Sequence, residues 1–340
     1  MASTLRAVPP NGPGAATAEA APPSRPAWVT DASLLLMAVI WGVNFSVLKY
    51  GTASFLPLAF NSVRVLLGTV VITAVAVAAT RGQPWPNRRT SLTLLGLGVL
   101  GNGVYQVLFV EGVARTQAGT ASLVLAAGPA LIALFGRLRG IERISARGAV
   151  GIAASILGVG LVMLGGPAAA ARVGAPADAA VLGSALVFAA AACWAVYTVY
   201  LQPHTKSVNG LQLSALTLGG GCIALFVVSV PDLAATTWPA SPLAYARDAA
   251  AAGGPLAGAV GLFANPWGAM AYSGLIAIVA AYLLFYRGVR ILGPTRTAMY
   301  ANLQPAVALF VAWIAFGELP SSVQVLGALA ILVGIVLTRK

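Results

Sequence analysis

The 340-residue chain is 59% apolar and only 8% charged, with a mean hydropathy of +0.88. So few charges leave too little polar surface to cover a water-soluble globule of this length, which places the protein in a membrane. The formal charge of +12 does not indicate nucleic acid, because the basic residues stand between long apolar runs, where they report orientation.

Residues 1 to about 30 are rich in Ala, Pro, Gly and Ser without apolar periodicity, and are expected to form a disordered cytoplasmic tail. Apolar runs of spanning length follow near 32–50, 57–79, 91–113, 117–137, 147–165, 181–202, 211–230, 266–289, 295–316 and 322–338. The first is too long, and too far from the start, for a signal peptide. Shifting the chain by 176 positions carries Gly98 onto Gly274, Phe109 onto Phe285, Gly112 onto Gly288, Pro129 onto Pro305, Glu142 onto Glu318, Ser145 onto Ser321, Gly151 onto Gly327 and Gly158 onto Gly334, without a gap. Alanines and leucines coincide cheaply in so apolar a chain; proline, glutamate and glycines in one register do not. The expected fold is therefore an all-α membrane protein of ten transmembrane helices, in two five-helix repeats at 31–165 and 181–338, with a long external loop at 231–265.

Five is odd, so the second repeat must enter from the opposite face, giving the inverted repeats of secondary transporters. With the N-terminus inside, the cytoplasmic segments collect most of the basic residues, among them Arg81, Arg88, Arg89, Arg137, Arg139, Arg143, Arg147 and Lys206. The outside holds only Lys49, Arg115, Arg172 and Arg247, and both termini are expected in the cytoplasm.

The first apolar run reads Trp41-Gly42-Val43-Asn44-Phe45 and ends on Lys49, and the second carries Arg64. Each half closes with a proline-bearing helix, a glutamate and a glycine-spaced last helix. In these features residues 32–337 resemble the EamA branch of the drug/metabolite transporter superfamily, ten-helix carriers of the inner membrane. The resemblance implies secondary transport of small organic metabolites, amino acids or related solutes, with export the expected direction. The family's Gly-Glu step is kept at Gly317-Glu318, whereas the first half has Gly136-Arg137-Leu138-Arg139-Gly140-Ile141-Glu142. The long loop is read as a flexible insertion, a lid or docking role being the alternative.

Polar and amphipathic residues near mid-depth outline a candidate solute pocket: Trp41, Asn44, Asn102, Gln106, Trp194, Tyr197, Tyr282, Asn302 and Gln304. Trp41 with Asn44, Asn102 with Gln106, and Trp194 with Tyr197 are three or four apart, so each pair shares a helix face. An amide aimed at lipid forfeits its hydrogen bonds, which turns those faces inward. Arg64 is an anion-binding, gating or carbonyl-capping residue. Pro129 and Pro305 stand near the middle of matching helices and release the carbonyls of Leu125 and Ala301, as a gate or a packing kink. The resemblance implies that Glu142 and Glu318 are turn residues, accepting from amides at the start of the following helix. Small residues at Gly148, Gly151, Ala154, Ser155 and Gly158, then Gly327, Ala328 and Gly334, fit an internal seam, so a monomer is favoured over a homodimer.

An enzyme is not indicated: the single histidine, His204, lies in a loop, the aspartates fall outside the apolar cores, and neither a nucleophile elbow nor a phosphate loop is present. Cys193 and Cys222 sit inside apolar segments, so no metal site or cofactor is expected. Without a carboxylate at depth, facilitated diffusion or exchange is expected over proton antiport. A lipid-carrier flippase subunit or a non-transporting membrane partner is the alternative.

Overall fold

The computed structural model describes residues 27–140, 145–172, 174, 176–261, 263–292, 297 and 300–338. Among these the regular structure is helical, without a strand. The helices are α1 (Ala27–Ser54), α2 (Pro57–Ala79), α3 (Arg88–Arg115), α4 (Ala118–Leu138), α5 (Ala146–Arg172), α6 (Ala177–Leu201) and α7 (Gly210–Ala235). There follow α8 (Pro242–Gly261), α9 (continuous through Pro266–Ala271, Tyr272–Ala280 and Ala281–Leu292), α10 (Gln304–Phe316) and α11 (Ser322–Thr338). Eight runs have the length and apolarity to cross a bilayer, α1 to α7 and one at Pro242–Phe285 that takes in α8 and much of α9; α10 and α11 are shorter apolar helices. The expected tail is shorter than its assignment, since Trp28, Val29 and Thr30 already belong to α1, and its remainder, like Glu142, lies outside the described residues.

Side chains start these helices by meeting amides that have no intrahelical partner. Asn87, Asn209 and Asn265 accept from amides in the first turns of α3, α7 and α9. At α2, where Pro57 removes one donor, Asp232 of α7 accepts from the Leu58 amide at 3.1 Å. Ser321 and Gln324 cap α11 reciprocally, at 3.2 and 2.9 Å. Ser145, aligned with Ser321, accepts from the Gly148 amide at the start of α5.

The repeat has a packing counterpart. Helices α5 and α11 run antiparallel, with Ser321 Oγ donating to the Gly165 carbonyl and Ser155 Oγ to that of Ile331. A methyl group on Gly158 would sit 2.6 Å from the Gly327 carbonyl oxygen, and one on Gly327 at 2.6 Å from that of Gly158. Gly334 meets Gly151 in the same way. Position for position, each helix offers its partner the surface that the partner offers back, the mark of a two-fold contact. Other contacts repeat the exchange: α1 packs on α10 as α6 packs on α4, and α2 on α9 as α3 on α7.

Two further interruptions recur in both halves. Helix α4 breaks at Ala126–Ala127 and α10 begins after a turn at Asn302–Leu303, the aligned positions. Pro129 and Pro305 therefore occupy the first turn of a new helix rather than the middle of a kinked one, because a residue without N–H fits where no intrahelical bond is required. Helices α3 and α9 each pass through a π-helical stretch, Val99–Val104 and Tyr272–Ala280, which overlap once aligned.

The stretch expected as a flexible external loop is largely ordered. Its Ala-rich sequence favours helix, and α8 doubles back at Gly254, whose φ of 80° is a conformation that glycine takes without strain. Gly258 and Gly261 then lie against Ala250 and Ala249. Trp238 stacks on Trp267, and both meet Phe55 edge-on.

Gly158→Val is expected to destabilise the detergent-purified protein by ~1–3 kcal/mol through overpacking, read as a lower melting temperature. Gly160→Val, where a side chain meets open space, should leave it unchanged. Equal melting of the two variants contradicts the seam.

Candidate functional site

Arg64 sits in the first half of α2 with 2% of its surface exposed. Its guanidinium donates through Nε to Asn61 Oδ1 at 2.9 Å, through Nη1 to Ser273 Oγ at 3.1 Å and through Nη2 to Gln106 Oε1 at 2.8 Å. Asn61 Nδ2 in turn donates to the Gln106 carbonyl at 3.0 Å. One side chain thus ties α2 and α3 of the first half to α9 of the second, where α9 is π-helical. Among the described residues no carboxylate pairs with it: the sole ion pair is Arg115 with Glu111.

Two aromatic groups join α1, α3, α6 and α9. In one, Tyr105 stacks on Phe109 (5.5 Å, 10°), Phe109 meets Phe45 edge-on, and Trp194 joins Tyr105 to Tyr197. In the other, Trp41 meets Tyr282 edge-on at 5.9 Å and Phe285 at 5.8 Å. Tyr105 and Tyr282 both lie within electrostatic reach of the guanidinium. Asn44 is carried on α1 between Trp41 and Phe45, and its buried Oδ1 meets no hydrogen-bond donor among the described residues.

The structure gathers most of the residues picked from the sequence, though not as equals. Gln106 is a direct partner of Arg64. Trp41 spends its indole N–H on the Ala277 carbonyl at 2.9 Å, leaving its ring as the available surface. Tyr197 lies buried with its ring on Gly101, and Asn102, within the π stretch, packs on Gly221. Asn302 occupies the turn before α10, and the carbonyl of Gln304 faces Gly42 of α1. Asn61, Ser273, Tyr105, Phe45 and Phe109 escaped the sequence reading. Asn61 is three residues before Arg64 on one face and was within reach of that rule; Ser273, brought in by the other half, carries no local signal.

A second polar cluster closes one end of the molecule. Lys49 donates to the carbonyls of Ala114 at 2.9 Å and Thr116 at 2.7 Å, capping the last turn of α3. Glu318, in the link between α10 and α11, accepts from the Gly119 amide at 3.3 Å. It therefore caps α4 of the opposite half and not the helix that follows it, whose start Ser321 and Gln324 already satisfy. Gln324 Nε2 donates to Thr120 Oγ1 at 2.8 Å, and Arg172 reaches the Pro320 carbonyl. The turn between α3 and α4 is thus held by opposite charges at its two ends, the favourable sense for each helix dipole.

The sequence pattern of the EamA-like transporter family matches residues 28–164 and 181–340. An uncharacterized transporter of Bacillus subtilis (strain 168), YyaM, is 23% identical over 89% of this chain and 90% of its own length. The uncharacterized inner membrane transporter YedA of Escherichia coli (strain K12) is 26% identical over 90% of this chain and 89% of its own. A probable terminal-alkyne amino-acid exporter of Streptantibioticus cattleyicolor is 25% identical, covering 91% of this chain and 92% of that protein. A protein crystal structure with 19% identity matches 90% of this chain and 96% of its own at a TM-score of 0.52, a likeness of fold.

Burial pushes the Glu318 carboxyl above the usual carboxylate range, against the opposing pull of the Gly119 amide and the Lys49 charge. The folded state then binds this proton more tightly than the unfolded chain, so stability falls as pH rises through the raised value. Melting temperature in detergent should decline over that window for the wild type and change less for Glu318→Gln, which keeps an acceptor for Gly119. Identical pH profiles contradict a strained carboxylate at this seam.

Proposed function

The chain belongs to the EamA-like transporter family, and from that premise we propose that it carries a small organic metabolite through the centre between its halves. It is a multi-pass membrane protein of the transporter kind. The observation that carries the reading is the Arg64 cluster, a polar centre shared by both halves, walled by aromatic rings and bordered by the two π-helical stretches. Such stretches and paired helix breaks free backbone groups where an all-helical wall would present none.

In this reading there are ten crossings, with α8 an added element between α7 and α9, and the halves are inverted repeats. The reciprocal contact of α5 with α11 supports it: two antiparallel helices that exchange equivalent surfaces are related by an axis across them, in the membrane plane. Both termini are then cytoplasmic, with Lys49, Arg115, Arg172 and Glu318 at the external end. The glycine seam serves as pivot, and the contacts of Glu318 and Gln324 with α4 close the outer side. The solute is an amino acid or a related metabolite, moved outward by facilitated diffusion or exchange; the exporter from Streptantibioticus is the relative that favours this class. A lipid-linked substrate is the second reading, favoured by a groove along α2 lined by Thr69, Val70, Thr73, Val77 and Arg81.

Proteoliposomes without any ion gradient should support counterflow of an amino acid from a panel. Alanine at Trp41, Asn102, Trp194 or Tyr282 should raise the half-saturating concentration about tenfold, equivalent to ~1.4 kcal/mol, with membrane insertion intact. Unchanged kinetics in all four variants place the solute elsewhere, and flux strictly dependent on a pH gradient contradicts the uncoupled mechanism.

A further inference from the structure

We propose that Arg64 binds a carboxylate of the carried solute, so that the transporter selects molecules bearing one such group; this rests on the reading of the centre as the solute site. A guanidinium withdrawn from water among apolar helices is costly unless paired with an opposite charge. Arg64 is nearly fully buried, yet its three bonds go to the neutral oxygens of Asn61, Gln106 and Ser273. Three of its five N–H donors are thereby engaged, in a planar fork that matches a carboxylate. The acids that the structure describes are committed elsewhere: Asp31 to Tyr300, Glu111 to Arg115, Asp232 to the Leu58 amide and Glu318 to the Gly119 amide. Asp178 opens α6, and Asp248 lies in α8.

The repeat supplies a control for the structural role. Gly274 of α9 packs on the Arg64 carbonyl, and the aligned Gly98 of α3 packs on the carbonyl of Thr217 of α7. Ahead of the long 231–265 stretch the repeat runs at a shift of 153 positions, which sets Trp41 on Trp194, Arg64 on Thr217 and Asn61 on Ser214. Thr217 Oγ1 donates to the Ser214 carbonyl at 3.3 Å. The same helix crossing is therefore made in the second half with a hydroxyl, and the packing itself does not call for a cation. What the first half adds at this position is charge, brought beside Tyr105 and Tyr282.

The surroundings fix the rest of the ligand's chemistry. The rings grouped with Tyr105 and with Tyr282 take an apolar body. The buried Asn44 Oδ1, an acceptor without a donor among the described residues, takes an N–H or O–H from the solute. A small carboxylate with an apolar side and one donor group satisfies all three features. The corresponding amide offers Arg64 only another neutral oxygen.

The test compares acid and amide in matched pairs: leucine with leucinamide, phenylalanine with phenylalaninamide, and 3-phenylpropionate with 3-phenylpropionamide. Thermal stabilisation of the purified protein and counterflow in proteoliposomes are both read. For at least one pair the acid should act at concentrations about 10- to 100-fold lower than the amide, the range of a charge-assisted hydrogen bond. Arg64→Gln should abolish that preference, and Arg64→Lys should retain part of it. Acid and amide acting equally in the wild type overturn the proposal, and this comparison stands even if Arg64→Gln does not fold. A preference that survives in Arg64→Gln overturns it as well. If neither member of any pair stabilises the protein or is carried, the reading of this centre as the solute site fails with it, whereas amides carried as well as acids leave that reading standing.

Discussion

Within hydrocarbon, helices gain nothing by hiding apolar surface from lipid, so they associate where their backbones come close enough for continuous van der Waals contact. The contact of Gly158 with Gly327, and its counterpart between Gly151 and Gly334, meets that constraint. Because the same pair of positions is supplied by each half, one solution to the packing problem is used twice. It sets α5 and α11 antiparallel and so fixes how the two halves face each other. The close crossings of Gly98 on α7 and Gly274 on α2 follow the same rule deeper in the bundle. They bring the π-helical parts of α3 and α9 to the centre.

Symmetry in the backbone makes the differences between the halves informative. The centre is polar because of residues that the duplication does not repeat: Arg64 stands where the other half has Thr217, Asn44 where it has Tyr197, and Gln106 where it has Tyr282. The cluster around Glu318 likewise has Lys49, where the other half has Gln202. Two matching scaffolds thus surround one asymmetric set of side chains. The buried polar atoms are expensive in such a setting, which is why Arg64, Asn61, Gln106 and Ser273 are joined into a network.

Much of this was legible in the sequence because membrane solvent constrains composition so strongly. Apolar runs located most of the helices, and the register of Gly, Pro, Glu and Ser located the repeat; that Ser145 and Ser321 cap α5 and α11 came from the structure. The sequence reading picked Gln106, Trp41 and Tyr282 for their depth, and the structure sets Gln106 on Arg64 and Trp41 on Tyr282. Besides the site residues Asn61, Ser273, Tyr105, Phe45 and Phe109, three features escaped. The π-helical stretches have no residue signature, since one extra residue per turn is accommodated by backbone alone. The role of Glu318 on α4 depends on a contact between positions 199 apart in the chain. The hairpin of α8 was masked by the Gly and Pro at its bend, which resemble loop composition although Ala-rich flanks favour helix.

The central claim is that a solute passes because the halves part at the outer seam while the α5–α11 contact holds. Cysteines at Thr120 and Gln324, whose side chains meet at 2.8 Å across that seam, allow it to be locked in a background lacking Cys193 and Cys222. A short, cleavable bis-thiol reagent should stop counterflow in proteoliposomes, and cleavage should restore it. Full flux through quantitatively cross-linked protein contradicts the account.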